Sequence, residues 1–213
     1  MQIQLQKIIP TYFEQDKISN SQIWAQEITF TKGEHAHIIA ASGRGKTSLI
    51  HFIYGLRKDY DGTICYKTEN INSFSLEDFS IFRQKNISIV FQDLRLFRNQ
   101  TVIKNLELKW QLNPYHPKEK ITEMARRLGI ESKLNKLAGM CSYGEQQRIA
   151  IIRSLLQPFD FLLLDEPFSN LDDNNREIAM ELIAEESKKR NASMIFADLK
   201  KRNFFNGHRV LQL

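Results

Sequence analysis

The chain has 213 residues, 42% of them hydrophobic and 26% charged, with a formal net charge of +5. That length buries one main core with room for a smaller subdomain, and the composition excludes a disordered, low-complexity or solenoid chain. Two cysteines, Cys65 and Cys141, make neither a metal-binding spacing nor a disulfide framework and fit a reducing compartment; no apolar run nears the ~20 residues that cross a bilayer, and the first residues lack a secretory leader's hydrophobic stretch.

In chain order, the first third reads as β-rich over residues 3–6, 21–30 and 35–40. The third of these strands runs into the turn Ala40-Ala41-Ser42-Gly43-Arg44-Gly45-Lys46-Thr47, and helix-like spacing over 47–54 stops at Gly55, a suitable C-terminal cap. Asp61-Gly62 marks a turn before a strand at 63–66, and 87–91 reads as a buried strand ending at Gln92. From 93 to 157 the pattern is helical, with helices at 102–112 and 117–128 on either side of Asn113-Pro114. The sheet resumes at 161–164, followed by a helix at 172–190, a strand at 193–197 and a last strand at 208–213. Alternating strands and helices predict an α/β fold with a mainly parallel sheet and an N-terminal antiparallel β part. We expect one domain over 1–213, its α/β core formed by 1–92 and 158–213 and a helical subdomain inserted at 93–157. Ligands of such sheets sit beyond the carboxyl ends of the strands, where every candidate segment falls.

Binding a triphosphate takes many N–H donors at close range, and glycine lets the backbone approach without a Cβ in the way. The run Ala40, Ala41, Ser42, Gly43, Arg44, Gly45, Lys46, Thr47 and Ser48 meets that requirement. Lys46 neutralises the outer phosphates, Thr47 offers a hydroxyl to Mg²⁺, and the helix behind adds its positive end. The strict pattern has glycine where this chain has Ala40; a positive φ there would cost alanine about 1 kcal/mol. Further on, Phe161-Leu162-Leu163-Leu164 anchors in the core a strand whose tip is Asp165-Glu166. Asp165 suits Mg²⁺ held through its water shell, and Glu166 suits orienting or deprotonating an attacking water. Between them, Cys141-Ser142-Tyr143-Gly144-Glu145-Gln146-Gln147-Arg148 opens a helix whose Ser142 and backbone N–H groups can hold an anion.

This ordered set, with Asp165-Glu166-Pro167 followed by Ser169-Asn170-Leu171-Asp172, resembles the ATP-binding cassette (ABC) ATPase family over nearly the whole chain. The resemblance implies ATP and Mg²⁺ as cofactors, Glu166, Lys46 and Gln92 as the catalytic set, and Thr47, Gln92 and Asp165 about the metal. It also implies Tyr12 stacking on adenine, and Ser142, Gly144 and Gln146 closing the nucleotide site of a second copy in a head-to-tail dimer. A partner follows too: an integral membrane protein of permease type docking near Gln92, Leu94, Leu96, Phe97 and Val102, with the chain held peripherally on the cytoplasmic face. The run Phe91-Gln92-Asp93-Leu94-Arg95-Leu96-Phe97 is most similar to the subgroup serving lipoprotein release, macrolide export and cell division. A soluble, non-transport cassette and a slow, regulatory ATP-binding module are the alternatives, and nucleic acid is not an expected partner.

Three departures matter. Tyr143 stands where the family has glycine, and Cys141 where it has leucine; the cysteine is expected to be structural rather than reactive. At the end of the strand at 193–197, either Ala197 or Asp198 stands in place of the family's switch histidine, and neither donates a hydrogen bond at neutral pH, which implies slow turnover. The paired spacing of His35 and His37 lacks the further ligands a metal needs, and His51, His116 and His208 have no chemical company. The basic clusters Lys188-Lys189-Arg190 and Lys200-Lys201-Arg202 read as solvated surface and do not choose a partner.

Overall fold

The computed structural model describes residues 1–200 and 209–213; Lys201, Arg202 and His208 lie outside them. The elements are β1 (Gln2–Pro10), α1 (Gln15–Ile18), β2 (Glu27–Thr31), β3 (Ala36–Ile39), α2 (Lys46–Ile53), β4 (Tyr60–Tyr66), β5 (Glu69–Asn70), α3 (Leu76–Lys85), β6 (Ile87–Val90), α4 (Val102–Trp110), α5 (Glu119–Arg127), α6 (Tyr143–Leu155), β7 (Phe161–Asp165), α7 (Asp173–Lys189), β8 (Ser193–Asp198) and β9 (Arg209–Gln212). Two sheets form: an antiparallel one in the order β2-β1-β4-β5 and a parallel one in the order β6-β7-β8-β3-β9. The expected α/β architecture, with its antiparallel N-terminal part, is present.

The apolar runs in the parallel sheet are continuous because both faces are covered. Successive side chains of a strand point to opposite faces, and the two cores divide accordingly. Phe161 and Leu163 of β7, with Ile195 and Ala197 of β8, join the core around α2 and the antiparallel sheet. Leu162 and Leu164, with Met194 and Phe196, join the core beneath α4, α5, α6 and α7. Asp165 continues the odd-numbered series of β7 and so emerges on the side of α2.

Two readings change. Of residues 21–30 only Glu27–Thr31 is strand. Upstream, the Ser21 hydroxyl accepts from the N–H groups of Ile23 and Trp24 at 3.0 and 2.8 Å, and Ala25 takes a left-handed φ of 61°; these local bonds turn the chain instead of extending it. Helix α3, absent from the sequence reading, starts with a reciprocal cap between Ser75 and Asp78 and buries Phe79 and Phe82 while Leu76 and Ile81 face solvent.

The Lys188-Lys189-Arg190 cluster is also only partly surface. Arg190 is buried and donates to the Glu186 carboxylate at 2.6 Å, as does Lys189 at 2.7 Å, and His116 lies 2.6 Å from the same group. His116, read as without company, thus ties the segment before α5 to α7. Burial alone pushes the Glu186 carboxyl up, but the hydrogen bonds from Arg190, Lys189 and His116 outweigh it and hold it at about 2.

Helix α2 ends as expected at Gly55, whose φ is +71° and whose missing Cβ would lie 2.2 Å from Phe79. Gly55→Ala is therefore expected to lower the unfolding free energy by about 2–5 kcal/mol, combining left-handed strain with overpacking. Urea denaturation measures this, and a loss below about 1 kcal/mol would contradict it. Glu186→Gln leaves Arg190 buried without its counter-charge and should cost about 3–5 kcal/mol at pH 7. The folded-state value of about 2 lies below the ordinary 4.5, so this stabilisation is complete above pH ~4.5 and is lost as pH falls toward 2. Thermal unfolding of parent and variant should converge on acidification; a constant gap would mean that ionisation of Glu186 is irrelevant.

Candidate functional site

Four segments leave the carboxyl ends of β3, β6, β7 and β8 side by side. After β3 comes the glycine turn, where Gly43 and Gly45 have φ of 80° and 93°. A Cβ on Gly45 would approach Phe13 and Trp24 at 2.8 and 2.9 Å, so glycine is required there by crowding as well as by backbone. Ala40 does not take a left-handed backbone, and alanine carries no strain at that position.

Lys46 at the start of α2 is 5% exposed. Its ammonium donates to the carbonyls of Ala40 and Ala41 at 2.9 and 3.3 Å and lies 3.4 Å from Glu166 Oε1. The lysine thus spans the turn and already faces the carboxylate strand. Glu166 itself has a φ of 45°, a costly backbone for a residue with a Cβ. It is held there by its own N–H, which donates to Ala197 O at 2.9 Å, and by its carbonyl, which accepts from Gln147 at 3.2 Å.

Asp165 is fully buried, and neither carboxylate oxygen has a hydrogen-bond partner among the described residues. Burial pushes its carboxyl up to about 6; the Thr47 hydroxyl and Lys46 oppose this only in part, and the Glu166 charge adds to it. The Thr47 hydroxyl is committed to Gln92 Oε1 at 3.1 Å. A buried acid without donors, beside a hydroxyl and an amide oxygen, is a donor set suited to a hard cation with its water shell. Thr47, Gln92 and Asp165 therefore fit the expected Mg²⁺.

Tyr12, Phe13, Ser42, Gly43, Lys46 and Glu166 border a cleft of about 230 Å³ over the turn. Tyr12 is 47% exposed; its hydroxyl is 2.5 Å from Ser48 Oγ, and Arg57 lies 5.0 Å from its ring centre. Phe13, Trp24 and Arg57 were not singled out in the sequence. They reach the turn from other elements, and no local pattern marks them.

Ser142 caps α6 reciprocally with Glu145: the Glu145 N–H donates to Ser142 Oγ at 3.2 Å and the Ser142 N–H to Glu145 Oε2 at 2.8 Å. The Ser142 hydroxyl proton stays available, and the side chain is exposed. Gly144 lies so close to the loop after β7 that a Cβ would sit 2.9 Å from Asn170 O. Gln147 completes the link, since its Oε1 accepts from the Asn170 N–H at 3.0 Å. Gln146 is buried and donates to Cys141 O at 2.8 Å, so its amide braces the helix start within its own chain. Cys141 is buried, and burial raises its thiol pKa, the nearby Glu145 charge adding to this, which fits a structural cysteine. Tyr143, 51% exposed, borders with Thr47, His51, Gln92 and Asp93 a second cleft of about 320 Å³.

The two residues in the switch position end β8. Ala197 pairs with Asp165, and Asp198 is buried with Oδ1 accepting from the Leu199 N–H at 2.7 Å. His35 Nδ1 accepts from Met194 N at 3.1 Å, and no metal-binding cluster of His, Cys, Asp or Glu occurs among the described residues. The apolar residues expected to receive a partner divide: Leu94 and Val102 are core residues, because the chain packs them beneath α6; Leu96 is part-buried against the same core; and Phe97 is 59% exposed. No helix among the described residues is long and apolar enough to cross a membrane.

The family model described as ABC transporter matches residues 25–169. The lipoprotein-releasing system ATP-binding protein LolD of Buchnera aphidicola is 32% identical over 77% of this chain and 73% of its own length. The ABC transporter ATP-binding protein YtrE of Bacillus subtilis is 29% identical over 79% of this chain and 74% of its own. In fold the chain is similar to the dimeric structure of MJ0796, a bacterial ABC transporter cassette, with a TM-score of 0.82 and 23% identity over 99% of this chain and 94% of that one. With the glycine turn, the buried acid and the capped helix in the family's order, and with matches of this extent, the chain belongs to the ABC transporter family as an ATP-binding ATPase cassette.

Proposed function

We propose that this cassette binds ATP with Mg²⁺ at the turn from Ala40 to Ser48, dimerises head to tail around it, and couples the cycle to a separate membrane protein of permease type. In this reading residues 93–157 act as the helical subdomain inserted in the core, and the chain works at the cytoplasmic face of the membrane. The single observation that supports it most is the buried, unpartnered carboxylate of Asp165 beside the Thr47–Gln92 pair.

The residues divide the work by their chemistry. Lys46 turns from the carbonyls of its own turn to the outer phosphates, leaving Glu166 to accept a proton from, or orient, the attacking water. Asp165, Thr47 and Gln92 would hold the Mg²⁺ ion, which when bound would supply Lewis-acid compensation of phosphate charge. Tyr12 offers its exposed ring to the base, and Ser142 and Gly144 present a helix N-terminus to the γ-phosphate of the second copy. The relationship to lipoprotein-release cassettes supports a role in transport or mechanotransmission with the membrane partner. Because neither Ala197 nor Asp198 supplies a donor to the γ-phosphate, one stabilising contact is missing, and hydrolysis is slow.

Two outcomes test this. Lys46→Ala is expected to weaken ATP binding at least tenfold, measured by calorimetry, while Glu166→Gln should keep binding, lose hydrolysis by about 10²–10⁴-fold and accumulate as a dimer in MgATP on size-exclusion chromatography. Unchanged affinity in the first variant, or a strictly monomeric second variant even beside its membrane protein, contradicts the reading. The isolated cassette should turn over well below the median enzyme rate of ~10 s⁻¹ and accelerate when reconstituted with that membrane protein. Fast hydrolysis independent of the partner would reject the argument from the missing histidine.

A further inference from the structure

An aromatic ring on a surface turn rotates freely unless something holds it, and a ring that must be ordered on binding gives up part of its stacking affinity. Tyr12 stands in such a turn just after β1, closed by the Phe13 N–H on Pro10 O at 3.0 Å. Its further support comes from the segment between α2 and β4. Asp59 grips the turn through its carbonyl, which accepts from the N–H and the hydroxyl of Thr11 at 3.1 and 3.3 Å. Its carboxylate receives the guanidinium fork of Arg57, from Nε at 2.9 Å and from Nη2. The remaining arm of that guanidinium, Nη1, donates to Ser48 Oγ at 3.1 Å, and the same oxygen lies 2.5 Å from the Tyr12 hydroxyl.

The bonds make a closed circuit from Thr11 through Asp59, Arg57 and Ser48 back to Tyr12. Arg57 Cζ stands 5.0 Å from the Tyr12 ring centre, so the guanidinium covers one face of the ring. Phe13 meets the same ring edge-on, with centres 5.2 Å apart. Tyr12 stays half-exposed and borders the cleft over the glycine turn. A lone cation at this place would serve the phosphates. Paired in a fork with Asp59, Arg57 brings no net charge, and what it supplies is geometry: a planar group fixed along one edge by a carboxylate and at its free arm by a hydroxyl.

We infer that Arg57 and Asp59 are positioning residues for nucleotide binding, which through Ser48 hold the Tyr12 ring in the orientation that a base stacks on. This rests on the reading that Tyr12 receives the base, and adds what keeps the ring ready for it. Ser48 thereby has a part distinct from its neighbours in the turn, since its hydroxyl faces the aromatic ring and Arg57.

The test measures, on the full chain and by competition calorimetry, the affinities for MgATP and for magnesium tripolyphosphate, which has the phosphates and no base. Their ratio reads the base alone, and a fraction of unfolded chain lowers both affinities without moving it. Tyr12→Ala should lower the ratio by about five- to 100-fold, the loss of one base–aromatic stack. Arg57→Ala and Asp59→Asn should each lower it by about two- to tenfold, the cost of ordering one side chain on binding. Charge alone predicts otherwise: Arg57→Ala would weaken both ligands together, Asp59→Asn would tighten both together, and neither would move the ratio. A ratio unchanged in Arg57→Ala and Asp59→Asn beside a lowered one in Tyr12→Ala overturns the inference and leaves the base reading standing. A ratio unchanged in Tyr12→Ala overturns both.

Discussion

A carboxylate at the tip of a strand covered on both faces is desolvated by its burial, which Thr47 and Lys46 offset only in part, and that constraint organises the nucleotide end of this molecule. The strand β7 can deliver Asp165 there only because Leu162 and Leu164 fill one core while Phe161 and Leu163 fill the other. An acid in such a place is stable as an anion when a cation sits beside it. Thr47 and Gln92, already bonded to each other, close the other sides of the space. The same strand fixes Glu166 one residue later, in a left-handed backbone that two hydrogen bonds hold in place.

The second constraint is contact between the capped helix α6 and the loop after β7. Gly144 allows the approach, and Gln147 bonds both to the Glu166 carbonyl and to the Asn170 amide. Glu166 and the N-terminus of α6 are therefore braced against each other inside one chain. Tyr143, in the place of a glycine, projects beside this brace toward Gln92 and Asp93 instead of disturbing the cap.

The sequence carried the features whose cause is local. The apolar run before Asp165, the glycine turn between strand and helix, the Gly55 stop and the Ser142–Glu145 cap are all written in neighbouring residues. What escaped depends on distant partners. Nothing near Phe13 or Trp24 tells that both crowd Gly45, and nothing near His116 tells that it meets Glu186 on α7. Residues 21–26 have strand-like composition, but a single serine hydroxyl diverts the backbone. Helix α3 was missed because its exposed Leu76 and Ile81 blur the helical period that Phe79 and Phe82 would show. Leu94 and Val102 looked like a surface since exposure, unlike hydrophobicity, is a property of the packed chain.

Arg153 belongs to α6, the helix that begins at Ser142, yet its guanidinium grips the carbonyls of Leu94 and Arg95, two consecutive left-handed residues with φ of 60° and 47°. A turn so shaped does not relax on its own while the grip lasts. The last turn of α6 is thereby tied to the loop after β6, two residues beyond the Gln92 whose amide oxygen accepts from Thr47.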